Sequence, residues 1–266
     1  MDEDPQELCE SAIALAAKAG VRIIEIYETD FSVLEKEDRS PLTAADMAAH
    51  DTIAKGLSDL TPTIPLLSEE STDIPFAERK QWSRYWLVDP LDGTREFIKR
   101  NGEFTVNIAL IDNHSPVLGV VYVPVTGVCY FATIGNGACK QLPAEAPVQI
   151  QVRRNFTGRL TVAVSRSHGN ERQTTFVANL GDVDYIAIGS ALKSCLVAEG
   201  RVDVSPRFGP TSEWDTAASQ CVVEEAGGHV TDMHLKPLRY NTKASLLNPE
   251  FLVFADSSRD WCKYLP

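Results

Sequence analysis

The sequence predicts a layered α/β fold with mixed sheets, on three observations. Segments of helical and of strand-like pattern occur in both halves of the chain. In the first half, runs rich in β-branched residues are joined by short turns, which predicts an antiparallel meander. In the second half, strands and helices alternate.

Asp4-Pro5 supplies a cap and a first position for an opening helix, and Leu8, Ala12, Leu15, Ala16, Ala19, Ile23, Ile26 and Tyr27 then trace one face. Gly20 weakens that helix without ending it. A second helix is predicted from Thr43 to Leu60, burying Ala49, Ile53, Leu57 and Leu60. Ile64–Leu67 reads as a short strand that ends in Ser68-Glu69-Glu70-Ser71, and Trp86–Val88 as one that stops at Asp89. The meander follows as Phe104–Ile111, Val117–Val123 and Val128–Ala132. Gly135-Asn136-Gly137 interrupts it, and 141–155 is the predicted boundary between an N-terminal α+β portion (1–150) that binds metal and phosphate and a C-terminal α/β portion (151–266) that completes the substrate site. Beyond it, strands are expected at Leu160–Val164, Tyr185–Ile188 and Val202–Ser205, with a final short one at Val230. Helices are expected at Glu171–Leu180, Ser190–Ala198 and Trp214–Ala226.

Composition narrows the function. Hydrophobic residues at 44% and charged residues at 23% of 266 are ordinary globular values. No apolar run approaches the ~20 residues of a membrane span, and the acidic start Met1–Asp4 is the reverse of a secretory signal. Six scattered cysteines with no Cys-x-x-Cys pair predict reduced thiols in a cytoplasmic protein. A net charge of −12 argues against a nucleic-acid polymer or an anionic membrane as partner. A small anionic substrate remains open, provided metal and a few placed cations make its site positive.

The most telling segment is Trp86-Leu87-Val88-Asp89-Pro90-Leu91-Asp92-Gly93-Thr94. Two carboxylates at the mouth of a buried strand repel each other by about 4 kcal/mol at ~4 Å and an effective dielectric of ~20. Hard oxygen ligands of this kind suit Mg²⁺, with substrate phosphate completing its shell. Asp-Gly is also an ordinary turn dipeptide, so the segment needs support from elsewhere. Glu69 closes a buried strand as Asp89 does, and two such strand ends meet if the strands are neighbours. Asp215 at a helix start and Asp46 in a capping box have purely structural readings of their own. Together Glu69, Asp89, Asp92 and Asp215 carry about −4 and a phosphate monoester nearly −2, a sum that two to three Mg²⁺ ions balance. Thr94, just past Asp92-Gly93, is placed to meet water and phosphate. Cationic counterparts stand at strand–helix junctions: Arg166 in the run Ser165–His168, Lys193 after Ser190, and Arg207 before Gly209-Pro210.

These segments resemble a known family. Asp89-Pro90-Leu91-Asp92-Gly93-Thr94, Glu69-Glu70 and Trp214-Asp215-Thr216-Ala217-Ala218 are similar, in order, to the three signatures of the inositol monophosphatase superfamily. The resemblance covers Ala14 to about Leu252 and implies an αβαβα sandwich and a lithium-sensitive, Mg²⁺-dependent phosphomonoesterase. Ser40–Asp46, Arg95–Glu103, Ser165–His168 and Arg207–Thr211 are most similar to the bacterial 3'(2'),5'-bisphosphate nucleotidase branch, which serves sulfate assimilation. This implies removal of the 3'-phosphate of adenosine 3',5'-bisphosphate, with the sulfated 3'-phosphoadenylyl sulfate as a further substrate.

Carried over by position, Glu69, Asp89 and the Leu91 carbonyl would hold one Mg²⁺, and Asp89, Asp92 and Asp215 a second. A third would sit near Glu69 and reach Asp46 through water. Thr94, oriented by Asp46, would position the attacking water, so Asp46, Glu69 and Thr94 form the implied catalytic set. Leu91, Asp92, Gly93, Thr94 and Asp215 would surround the scissile phosphate, and His168, Ser190, Lys193 and Arg207 the rest of the nucleotide. Arg95 stands where the family has lysine, a swap expected to matter little because the side chain is not a metal ligand. Relatives include monomers and dimers, and some lie peripherally on the inner face of the cytoplasmic membrane. Two rival functions stay open: hydrolysis of an inositol or sugar phosphate by the same metal site, and a non-catalytic nucleotide- or metal-sensing module.

Overall fold

Asp4 accepts a hydrogen bond from the Gln6 N–H at 3.0 Å and starts the first helix where Pro5 fits its first turn. The computed structural model describes residues 4–35, 41–155, 157–167 and 169–266. In chain order these form α1 (Pro5–Tyr27), β1 (Val33–Glu35), β2 (Pro41–Thr43), α2 (Ala44–Leu60), β3 (Leu66–Ser68), α3 (Phe76–Arg79), β4 (Arg84–Asp92) and α4 (Thr94–Ile98). The meander follows as β5 (Thr105–Asp112), β6 (Ser115–Val123), β7 (Val128–Thr133), β8 (Ala138–Gln141) and β9 (Val148–Ile150). Then come β10 (Thr161–Ser165), α5 (Glu171–Leu180), β11 (Asp184–Ile188), α6 (Leu192–Ala198), β12 (Val204–Arg207), α7 (Glu213–Glu225), β13 (His229–Asp232) and β14 (Phe251–Phe254). A 3₁₀ turn, Trp261–Tyr264, follows the last strand.

Among the described residues the strands make a seven-stranded sheet, β3-β4-β5-β6-β7-β8-β9, a five-stranded sheet, β11-β10-β12-β14-β13, and a β1-β2 ribbon. The β3–β4 pair is parallel and every other pair of the larger sheet is antiparallel, as the meander predicts.

Alternation along the strands sorts the core into layers. Trp86, Val88, Ile108 and Val120 face α1 and α2, packing on Ala12, Ala16, Ala49 and Ile53. The Trp86 indole donates to Thr61 Oγ1 at 2.9 Å, so the ring is buried without an unpaired N–H. Tyr85, Leu87, Ala109 and Val121 face the opposite way, onto α6 and α7 and, beyond them, Ala163, Val230 and Val253 of the smaller sheet. Val162, Val204 and Leu252 form that sheet's outer face, covered by Phe176 of α5 and Trp261. The order helix, sheet, helix, sheet, helix is the αβαβα sandwich.

Four expectations need correction. β4 does not stop at Asp89 but runs on to Asp92 through a register shift between those two residues. The helix expected at Ser190 begins at Leu192, because Ser190 is left-handed, at φ +52°. The strand at Val230 is not the last: β14 (Phe251–Phe254) follows it and lies between β12 and β13. Leu60 is half-buried, not fully so.

Close approach of α7 to the larger sheet depends on Gly119 of β6. A Cβ there would lie 2.2 Å from the Ala218 carbonyl oxygen and 2.8 Å from Cys221 Cβ. Gly119→Ala is therefore expected to push α7 outward and destabilise the fold by ~2 kcal/mol or more, read as a lowered midpoint in urea unfolding. An unchanged midpoint would show that the α7 seat is compliant.

Candidate active site

Parallel pairing of β3 with β4, Ser68 opposite Val88, brings Glu69 and Asp89 off neighbouring strands side by side. The Glu69 N–H donates to the Val88 carbonyl at 3.1 Å and extends the pairing by one residue. Past Asp89 the chain bends through Pro90, and the Leu91 N–H donates to Asp89 Oδ1 at 3.0 Å. Gly93 turns the corner at φ +94°, where a Cβ would crowd the Glu103 carbonyl oxygen at 3.2 Å and Ser190 Cβ at 3.4 Å. Asp215 arrives from the facing wall, in the first turn of α7, where its Oδ2 accepts the Ser212 N–H at 2.8 Å. Its capping reading is therefore correct and does not exclude another role.

Glu69, Asp89 and Asp215 offer oxygens that all lie within 4.8 Å of one another. Asp89 is buried, and its Oδ2 accepts no hydrogen bond among the described residues. Burial, then repulsion from Glu69, Asp92 and Asp215, pushes the Asp89 carboxyl well above the usual range. Burial, then Asp92 and Glu69, pushes Asp215 up to about 7. An oxygen-only, anionic donor set with one buried oxygen left unpaired fits a hard divalent cation.

Asp92 neighbours the trio and has hydrogen bonds of its own. Its Oδ2 accepts the Ala191 N–H at 2.6 Å, the Asn107 side-chain amide at 3.3 Å and the Thr105 hydroxyl at 3.4 Å. Thr94 Oγ1 lies 3.3 Å from both Asp46 Oδ1 and the Leu91 carbonyl oxygen. The other oxygen of Asp46 accepts the Thr43 N–H at 2.7 Å and the Thr43 hydroxyl at 2.6 Å, so the α2 cap also fixes the carboxylate beside Thr94.

One cavity of about 260 Å³ is lined by Glu69, Asp89, Asp92, Thr94 and Asp215 and by cationic side chains. Ser190, Lys193 and Arg207 line it with Ser165, Ser205 and Thr211. Lys193 Nζ donates to the Ser190 carbonyl at 2.7 Å, and burial, partly offset by Asp92 and reinforced by Arg207, pushes its ammonium down to about 8. Arg207 folds back on its own loop, donating from Nε to Thr211 Oγ1 at 2.5 Å and from Nη2 to the Pro210 carbonyl at 2.9 Å. His168 lies outside the described residues.

The profile of the inositol monophosphatase family matches residues 4–257. The chain belongs to the inositol monophosphatase family. It is 50% identical over 249 residues to the 3'(2'),5'-bisphosphate nucleotidase CysQ of Salmonella typhimurium, covering 92% of this chain and 99% of that one. With the protein of that name in Haemophilus influenzae it shares 36% over 257 residues, 96% of each. Among solved structures, CysQ from Bacteroides thetaiotaomicron, a bacterial member of the family, is 45% identical with a TM-score of 0.82, covering 94% of this chain and 97% of that one. The suppressor protein SuhB of Bartonella henselae is 26% identical with a TM-score of 0.80, covering 97% of each. The chain is thus a phosphatase by family, and the family's enzymes are metal-dependent, usually on Mg²⁺.

Several residues of the family cleft were not singled out in the sequence. Asn107 is register partner to Asp89 and bonds Asp92. The signal was present, since an amide inside the apolar run Val106–Leu110 has to find a buried partner. Glu96, buried, also lines the cleft, and nothing in the local pattern separates it from a charged helix surface. Arg95, singled out in the sequence only as a swap for the family's lysine, lines the cleft too and is exposed.

The trio has a consequence for stability. Asp215 has a folded-state value near 7 without a cation, above the ~4 of an unfolded aspartate. The folded protein therefore holds extra protons between those limits, and the repulsion costs stability as pH rises through the window. Mg²⁺ is expected to raise Tm by more at pH 8 than at pH 5, in melts compared with EDTA. Asp89→Asn is expected to melt above the wild type in EDTA at pH 8 and to lose most of the Mg²⁺ increment. An increment independent of pH, or kept in the variant, would contradict the trio as the cation site.

Proposed function

We propose that this chain hydrolyses the 3'-phosphate of adenosine 3',5'-bisphosphate to give AMP and inorganic phosphate, with 3'-phosphoadenylyl sulfate as a second substrate. The observation that carries this reading is that one cleft is lined both by Glu69, Asp89, Asp92 and Asp215 and by Lys193 and Arg207. A bisphosphate needs both: a reacting ester where water is delivered, and a second anion held out of reach of it. Half-identity to a 3'(2'),5'-bisphosphate nucleotidase across nearly the whole of both chains supports the nucleotide over an inositol ester.

Glu69, Asp89 and the Leu91 carbonyl would hold one Mg²⁺, and Asp89, Asp92 and Asp215 another, with a weaker third beside Glu69. Bound there, the ions would neutralise charge on the phosphoryl oxygens and make water acidic enough to attack near neutral pH.

The chain's own groups supply position. Thr94 Oγ1 donates to Asp46 Oδ1 and keeps lone pairs free to accept from the attacking water. Asp46 cannot swing away, because Thr43 occupies its other oxygen twice. As the water oxygen adds to phosphorus, its proton passes to Thr94 while that of Thr94 passes to Asp46. The ester P–O bond breaks, and the ribose 3'-oxygen leaves with the electron pair and takes up a solvent proton. The Gly93 and Thr94 amides, at the turn that opens α4, would meet the phosphoryl oxygens. Ser190, Lys193 and Arg207 hold the 5'-phosphate, and His168 completes the nucleotide contacts. Residues 1–150 thereby supply most of the reacting end and residues 151–266 the anion-holding end, with Asp215 as the exception.

Phosphate release from adenosine 3',5'-bisphosphate, inositol 1-phosphate and fructose 1,6-bisphosphate, with and without Mg²⁺, tests the reading. The bisphosphate nucleotide is expected to be preferred in kcat/KM, and preference for inositol 1-phosphate would overturn the substrate assignment. Lys193→Ala is expected to raise KM for the bisphosphate about 10- to 100-fold with little change in kcat, the loss of a charge-assisted contact made equally in ground and transition states.

A further inference from the structure

We infer that Glu103 and Arg166 form a clamp that positions the Ser190 turn and thereby sets selectivity for a substrate's second anionic group. This rests on the proposed role of Ser190 and Lys193 in holding that group. Arg166 donates from Nε and Nη2 to the two carboxylate oxygens of Glu103, at 2.7 and 2.6 Å, and from Nη2 also to the Ala187 carbonyl at 2.6 Å. Glu103 Oε2 accepts in addition the Gly189 N–H at 2.8 Å. One carboxylate just ahead of β5 thus grips the ends of both β10 and β11.

The backbone of Glu103 is wedged into the same place. Its carbonyl oxygen lies 2.9 Å from where a Cβ on Gly189 would sit and 3.2 Å from one on Gly93. On the far side of Ser190, the Ala191 N–H is held by Asp92 at 2.6 Å. Ser190 is therefore pinned from both neighbours in a left-handed conformation, φ +52°, that costs a non-glycine residue ~1–3 kcal/mol. Its carbonyl accepts from Lys193 Nζ, so the pinned turn also fixes where the ammonium stands. Releasing Gly189 lets Ser190 relax and carries Lys193 with it.

The clamp is not a major support of the fold. Arg166 is 43% exposed, and a solvent-facing ion pair contributes little to stability. The turn after β10 keeps a second strut, the Ser167 hydroxyl donating to Glu96. Loss of the clamp is expected to loosen the Ser190 turn and leave the protein folded.

The test uses Glu103→Ala, and Glu103→Gln, which retains an acceptor for the Gly189 N–H. Steady-state kinetics compare adenosine 3',5'-bisphosphate with 3'-AMP, which lacks the second phosphate. The ratio of their kcat/KM values is expected to fall about tenfold in Glu103→Ala, the size of one weakened hydrogen bond to a charged group, and to recover in part in Glu103→Gln. The kcat for the bisphosphate is expected to stay within about threefold, as for a loss of uniform binding. Equal loss on both substrates, the mark of a merely structural role, overturns the proposal. Amide hydrogen exchange over Gly189–Lys193 is expected to quicken in Glu103→Ala, and unchanged exchange overturns the clamp whatever the substrate. A wild type that turns over 3'-AMP as well as the bisphosphate counts against the nucleotide-bisphosphate reading, and the exchange measurement then decides the clamp by itself.

Discussion

Repulsion among Glu69, Asp89 and Asp215 is the constraint around which the rest of the cleft is organised. Three carboxylates with oxygens inside a 4.8 Å span, one of them buried, are unfavourable unless a positive charge stands among them. A fold evolved only for stability has no reason to assemble them. The αβαβα layers supply the force that does: α7 is driven onto the larger sheet by burial of Ala217, Ala218, Cys221 and Val222, and carries Asp215 inward with it. The parallel β3–β4 pair brings the other two carboxylates to the same edge.

The same economy of placement runs through the cleft. Asp46 and Asp215 each cap a helix and each face the site, so that backbone amides hold their carboxylates in one rotamer before any ligand arrives. Asp92 is held by the Asn107 amide and Thr105 hydroxyl of β5 and by the Ala191 N–H, which ties the β4 turn to the Ser190 turn. Structural and catalytic readings of these residues are not rivals, because the capping bond is what gives the carboxylate a fixed position.

Where pattern and structure parted, the reason was local in each case. The run Arg84–Asp92 continues as one strand because a bulge lets it absorb Pro90 without a ladder hydrogen bond from that residue. Ser190 left the helix it was expected to open because its neighbours are pulled by Asp92 and Glu103, residues distant in sequence. The run Phe251–Phe254 is four apolar residues with no period-2 alternation, and by periodicity alone so short a run reads equally as strand or as core helix. Asn107 is legible in the sequence as a lone amide in an apolar strand.

From the amino-acid order alone came the layered fold and, through the resemblance of its signature segments, the family and its phosphatase chemistry, since helical period, β-branched runs and the Asp-Pro-Leu-Asp-Gly-Thr turn are local and survive without neighbours. Tertiary structure decided that Glu69, Asp89 and Asp215 meet, that Asp92 is held by the Ala191 amide, and that Glu103 and Arg166 join the ends of β10 and β11. Those facts depend on distances between residues tens of positions apart in the chain, which packing sets and no local pattern encodes.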